Sequence, residues 1–413
     1  MTITTNSSSL LFRACCLALT VTAMTFAIRA GILSQLSNDF GLSDSQLGWV
    51  NSMAFLGFPV AMMIGGVLYN QLGAKKLLIT AFIFHLLGLI LTITADGFWG
   101  LLVSTFFIGF ANGAVEAGCN PLIAQIYKDN KTTMLNRFHV WFPGGIVIGA
   151  IISKFMTDAG LGWQLQIAVM LVPTAIYGVM VLKQQFPQLH KTISTSTLSN
   201  MKSLSQPLFI FMVLCMTLTA TTELGTQQWI DRILAASGAS PMLIMAMITG
   251  LMAVGRYFAG PVIHRLNPVG VLLSSAVIAT AGIYSMSIAT GSAVYFAAIL
   301  FALGVTYFWP TMIGFIAEYV PETGALGLSL IGGAGMFAVS MWNPVIGQWI
   351  DSARAQAMIT SSNALDAELL AGQSVLANLT IFPMVLIIAF ALLYFYMNKR
   401  SSAKVMPANS LAK

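Results

Sequence analysis

The chain has 413 residues, 57% of them hydrophobic and only 8% charged, where a soluble domain carries about 25% charged residues. This composition excludes a soluble or disordered protein and leaves an integral membrane protein. A net charge of +6 would suit nucleic acid or an anionic surface only if the basic residues clustered for binding, and their placement on loops gives them another role.

Apolar runs of about 20 residues, enough to cross a hydrocarbon core of about 30 Å, occur twelve times. They lie near 11–33, 47–69, 77–95, 99–123, 138–157, 164–182, 208–229, 242–262, 271–290, 293–316, 326–348 and 376–397. The first follows Arg13 and resembles a secretory leader, but it is too long and Arg29 interrupts it, so it is expected to stay as a helix. Fourteen of the 19 Lys and Arg fall on one side of the resulting topology. Three (Lys154, Arg232, Arg354) fall on the other, and Arg29 and Arg256 sit within spans. The positive-inside rule then predicts a multi-pass protein of the inner (cytoplasmic) membrane with both termini cytoplasmic. Nucleic acid is not an expected partner. Cys15, Cys16, Cys119 and Cys215 all lie in spans without metal or disulfide spacing and are read as packing residues.

In the first span Arg29 shares a stripe with Thr22 and Thr25. It fits two roles, a partner of Glu116 released on protonation or an anchor for a substrate carboxylate or sulfonate. In the fourth span Asn112, Glu116 and Asn120 recur every four residues, which puts them on one helix face. A carboxylate at the bilayer centre costs about 2.5–3.5 kcal/mol, so such groups face a protein interior or a wet cavity. Glu116 is therefore a candidate proton-coupling group, with His139 a second titratable candidate. Asn112, Asn120 and Asn136 offer donors and acceptors suited to a hydroxyl-rich solute, or to linking helices. Gly109 with Gly113, and Gly145 with Gly149, mark close helix packing.

Residues 183–207 lose hydrophobicity and gain Ser, Thr and Lys, predicting a cytoplasmic linker between an amino-terminal bundle (1–182) and a carboxy-terminal bundle with a short tail (208–413). The seventh span carries Thr219, Glu223 and Gln227 at spacings of four, a second polar stripe. In the eleventh, Trp342 and Asn343 beside Pro344 could stack and hydrogen-bond a sugar ring, or mark an interfacial Trp and a kink. No metal, nucleotide or catalytic motif occurs, so neither a cofactor nor enzymatic activity is expected.

The halves echo each other. GGVLYNQLGAKKLL at 65–78 and AGPVIHRLNPVGVLL at 259–273 pair Gly66 with Gly260 and Asn70 with His264, and both close on Leu-Leu; Pro121 and Pro310 form a second echo. Such parallel halves suit a rocking carrier. The first of these segments resembles the loop signature of the major facilitator superfamily at Gly66, Gly73, Lys75 and Lys76, with Asn70 where that family has Asp. EAGCNPL followed by LNRFH resembles the fucose/galactose proton symporter branch at Glu116, Asn120, Pro121 and Asn136, and TELGTQQW fits that branch's Glu-to-aromatic spacing with Glu223 and Trp229. Where the branch carries an acid in its first helix, this chain has Arg29 and Ala30.

The resemblance implies an all-α membrane protein, twelve transmembrane helices in two six-helix bundles. It also implies a monomeric secondary transporter that imports a monosaccharide or sugar derivative with protons, or sodium, by alternating access. Efflux of an amphipathic compound or organic anion is the alternative, and a solute sensor without transport is a third.

Overall fold

The computed structural model describes residues 5–127, 134, 137–187, 203–361 and 363–405. Twelve apolar helices run through them. The first six are α1 (Ser8–Gly31), α2 (Asp44–Tyr69), α3 (Gln71–Ile93), α4 (Phe98–Ile123), α5 (Arg137–Asp158) and α6 (Trp163–Lys183). The second six are α7 (Pro207–Gln228), α8 (Pro241–Tyr257), α9 (Arg265–Ile288), α10 (Ala293–Ile316), α11 (Ser329–Thr360) and α12 (Ala364–Lys399). Their outward sides leave Val67, Trp99, Val172, Ile288 and Phe296 exposed. Only a lipid environment stabilises so apolar an exterior. The chain is thus a multi-pass membrane protein. Both described chain ends lie on one face, here the terminal face; the other is the Asp44 face.

Helix limits depart from hydropathy where amphipathic turns extend a span. α12 starts twelve residues earlier than expected because Asn363 caps it, its Oδ1 accepting from the Asp366 N–H at 2.9 Å. α11 likewise continues past 348 to Thr360. The central part of the expected linker (188–202) and Asn136 lie outside the described residues.

The internal echo has a backbone counterpart. The α2–α3 turn has its break at Gly73 (φ 73°, ψ 165°) and the α8–α9 turn at Asn267 (φ 54°, ψ 165°), each in the third position of the range given for the later helix. Counting from the matched pair Gly66 and Gly260, these are the same register position, seven residues on. This region is essentially reserved for glycine. Asn267 occupies it with its side-chain oxygen held by the Gly270 N–H at 2.9 Å. Gly73→Ala is expected to cost about 1–3 kcal/mol, read as a lower unfolding temperature in detergent; an unchanged midpoint would show that the turn relaxes freely.

Within each bundle, side-chain-free positions bring backbones together. A Cβ on Gly109 or Gly113 of α4 would run into the carbonyl oxygen of Ala54 or Phe58 on α2, and one on Gly145 would lie 2.7 Å from the Ala23 Cβ of α1. In the second bundle Gly282 and Gly304 bring α9 against α10 in the same way. The four cysteines are unpaired and buried.

The halves meet chiefly along α2–α11 and α5–α8. Towards the Asp44 face this approach is backbone to backbone: Gly48 lies against Asn343 and Pro344, and Gly347 against Asp44. Ser340 Oγ donates to the Ser52 carbonyl across the same seam at 2.8 Å.

Candidate functional site

The Asp44 face is closed by ions. Ser43 and Gln46 form a capping box at the start of α2. The free N–H groups of Asp44 and Ser45 donate across the halves to the Asp351 carboxylate at 3.0 and 2.8 Å, a carboxylate on a helix N-terminus. Asp44 itself is fully buried and accepts from Arg232 Nε and Nη2 at 2.7 and 3.0 Å and from Arg354 Nη1 at 2.5 Å. Arg354 also pairs with Glu368. Asp44 is thus the hub of this cluster.

Beside it, Asp231 accepts from Ser34 Oγ at 2.6 Å. Burial pushes this carboxyl above the usual range, while the Ser34 hydrogen bonds and Arg232 pull it back. The closed form therefore binds the extra proton. Closure should strengthen as pH falls from the raised value towards the ordinary one. Slower labelling of a thiol at the seam on acidification, lost in Asp231→Asn, is the expected result.

One layer inward sits Arg29, in the last turn of α1 and buried. Its Nη2 donates to Gln228 Oε1 of α7 at 2.7 Å, and its guanidinium carbon lies 5.3 and 5.6 Å from the ring centres of Phe26 and Phe55. Nε and Nη1 have no hydrogen-bond partner. Asn51 of α2 is fully buried with both amide atoms unpartnered. It lies one turn from Phe55 on the same face, so it shares the Arg29 level. Asn343 is also fully buried; its Oδ1 accepts from Trp229 Nε1 at 3.0 Å and its Nδ2 is unpartnered.

Below this polar layer is an apolar one. Phe26, Phe55 and Phe58 pack on Ala220, Leu224, Met336 and Val339 of the other half, with Phe142 and Trp309 at the margin.

Further towards the terminal face lie Glu116 in the first half and Glu223 in the second. Glu116 Oε2 accepts from Asn120 Nδ2 at 2.7 Å, and Oε1 lies 4.0 Å from His139 Nδ1. His139 is 46% exposed and the Glu116 side chain 11%, so the cluster opens towards that face. Glu223 sits in a one-turn π-helix, Thr221–Gly225, an element frequent at functional sites. It pairs with Arg256 Nη2 at 3.2 Å, and Arg256 Nε donates to the Thr306 carbonyl at 2.9 Å.

Several expected roles change. Arg29 does not meet Glu116. Asn112 Nδ2 donates to Thr25 Oγ1 at 3.0 Å, and from that level the two charges lie one turn away in opposite directions, about 12 Å apart along the helices. The apolar layer stands between them. Asn112 does not join Glu116 and Asn120 either: it belongs to a closed chain inside the first bundle, where His85 bridges Asn112 Oδ1 and Tyr177 OH at 2.8 Å each. Trp342 points away from the seam into an aromatic cluster with Trp349 and Phe382, at 5.8 and 4.7 Å. Gln227 packs on Met252 at 3.8 Å, between α7 and α8.

Sequence reasoning missed Asn51, His85 and Gln228, and left Arg256 without a role. The signal for Arg256 and for His85 was a titratable side chain inside a span; Asn51 and Gln228 differ little from ordinary packing amides.

Two six-helix bundles meeting at a seam with buried charges define a membrane carrier body. A profile of the Major Facilitator Superfamily matches residues 15–343, and the chain belongs to that family. Its relatives and structural neighbours are transporters, not enzymes.

The sphingosine-1-phosphate transporter SPNS2 of Danio rerio is 28% identical over 158 residues, 37% of this chain and 31% of that protein. A D-xylose transporter of Levilactobacillus brevis is 25% identical over 148 residues, 36% of this chain and 32% of that one. Each match spans about a third of the relative's length. Among solved structures, a bacterial homologue of the human lysosomal transporter Spinster superposes with a TM-score of 0.76 at 13% identity, covering 94% of this chain and 97% of that one. The Escherichia coli fucose:proton symporter FucP gives 0.58 at 16%, covering 92% and 99%. These likenesses establish the fold.

Proposed function

We propose that the chain is a secondary active transporter that imports a small polar solute, a monosaccharide or sugar derivative, with protons. The observation that carries this reading is Glu116: an acid in a membrane span, hydrogen-bonded to a neutral amide and beside an exposed histidine that leads to one face. The basic loops support a cytoplasmic terminal face in an inner membrane. The form described is then sealed outside by the Asp44 cluster.

In the cycle, residues 1–182 and 208–413 rock as two bodies. The outer seal opens, solute enters the polar layer of Arg29, Gln228, Asn51 and Asn343, and Glu116 takes a proton. The seal then re-forms, and His139 receives the proton and passes it to the cytoplasm while Asn120 hydrogen-bonds the Glu116 carboxylate left behind. The Glu223–Arg256 pair holds the second bundle's half of the path. The part-length match to a D-xylose transporter supports a sugar as solute. Outward movement of an amphipath is the second reading, supported by the phenylalanine layer and the part-length match to a sphingosine-1-phosphate transporter.

The test uses proteoliposomes with an imposed proton or sodium gradient and labelled hexoses, pentoses and hexuronates. Accumulation down the proton gradient is expected; accumulation with sodium alone, or with neither, overturns proton symport.

A further inference from the structure

Among the described arginines of the seam, Arg29 makes no ion pair. Arg232 and Arg354 share Asp44, and Arg256 has Glu223. Among the described residues, none with a carboxylate forms an ion pair with Arg29. A guanidinium stays ionised, and leaving a buried charge uncompensated costs several kcal/mol. One amide oxygen and two ring faces compensate a cation poorly, whereas the other arginines at the seam each have an acid. Around it, Asn51 and the Nδ2 of Asn343 add further buried polar atoms without partners.

We propose that the transported solute carries a carboxylate, as a sugar acid does, and that Arg29 is its anchor. The amide of Gln228 occupies the guanidinium when no solute is bound. This rests on the transporter reading above and names its substrate class. The planar fork of arginine receives a carboxylate through two parallel hydrogen bonds, and each of its two-donor edges uses Nη2. Gln228 engages one of the two Nη2 hydrogens, so a carboxylate docked on the edge that shares this hydrogen displaces the amide and breaks the bond between the halves. The cavity of about 20 Å³ that touches Arg29 lies within the first bundle, between residues such as Ile32, Val50 and Ile167, and holds no more than a water, so the closed seam offers the solute no room there. The solute therefore reaches the site when the halves part, and Gln228 reclaims the cation after release. Asn51 and Asn343 are placed to hydrogen-bond the hydroxyls beside the carboxylate.

The experiment measures thermal unfolding of the full-length carrier in detergent at constant ionic strength. The probes are acetate, glucuronate, galacturonate and sulfate, with glucose and galactose as neutral counterparts. Stabilisation reports binding by mass action. The hexuronates are expected to raise the midpoint, acetate only at higher concentration, and the neutral hexoses least. Arg29→Gln should weaken the hexuronate response at least tenfold and Arg29→Lys partly, whereas Gln228→Ala, which removes the competitor, should strengthen it.

Stabilisation by the neutral hexoses alone, equal in wild type and Arg29→Gln, would sink the anchor while leaving sugar transport standing. So would the absence of any carboxylate response. A sulfate response larger than that of the hexuronates would also overturn the carboxylate assignment. Should Arg29→Gln fail to fold, Gln228→Ala decides, since an unchanged or weaker hexuronate response there contradicts the exchange. Arg29-dependent binding without proton-driven uptake would instead remove the symport reading and keep the anchor.

Discussion

With Glu116→Gln, a proton gradient of one pH unit is expected to drive no accumulation, whereas the unaltered carrier should approach about tenfold. One pH unit is worth 1.36 kcal/mol per proton, which is a factor of ten in concentration for one-proton symport. Glutamine preserves the size of the side chain and can still meet Asn120, so the helix packing around α4 should survive. It cannot take up and release a proton, so the gradient has nothing to act on. Exchange of labelled for unlabelled solute needs no net proton movement and should continue. Retained tenfold accumulation in this variant would take Glu116 out of the coupling role and turn attention to Glu223.

Asp44→Asn is the second change of large expected effect. It strips two arginines of a shared buried carboxylate. Breaking such a pair by removing one partner costs about 3–5 kcal/mol, and even 3 kcal/mol shifts an equilibrium more than a hundredfold. The cost falls on the closed form, because the ion pairs bridge the halves and part when they separate. A single thiol introduced at Ser340→Cys, buried on the seam, reports this; the native cysteines are all buried. Labelling about 100-fold faster in the Asp44→Asn background is expected. Equal rates would mean that the glycine seam, not the ion cluster, holds the face shut.

Helix number and class were legible because a membrane span is a statement about composition along about 20 residues. Partners were not, because they depend on helix rotation and on neighbours far along the chain. Trp342 and Asn343 show why. Adjacent on α11, they point about 100° apart, so one joins the aromatic cluster with Phe382 and the other the core at Trp229. The stripe of α4 shows it again. Asn112, Glu116 and Asn120 do share a face, but α1 and α3 crowd its upper part and only the lower two positions reach a wet region. The echo between halves was readable further than residue identity suggested, since the turn at Gly73 reappears at Asn267 with a different residue in the same backbone conformation.

The bare strip formed by Gly48 and Gly347 carries a consequence for how the molecule moves. Where side chains mesh, two surfaces can slide and re-interlock at intermediate separations. Here main chain rests on main chain, and a shift of an ångström forfeits the contact altogether. The closure at the Asp44 face should thus behave as a snap fastener with two settings, which suits a carrier that must never stand open at both ends.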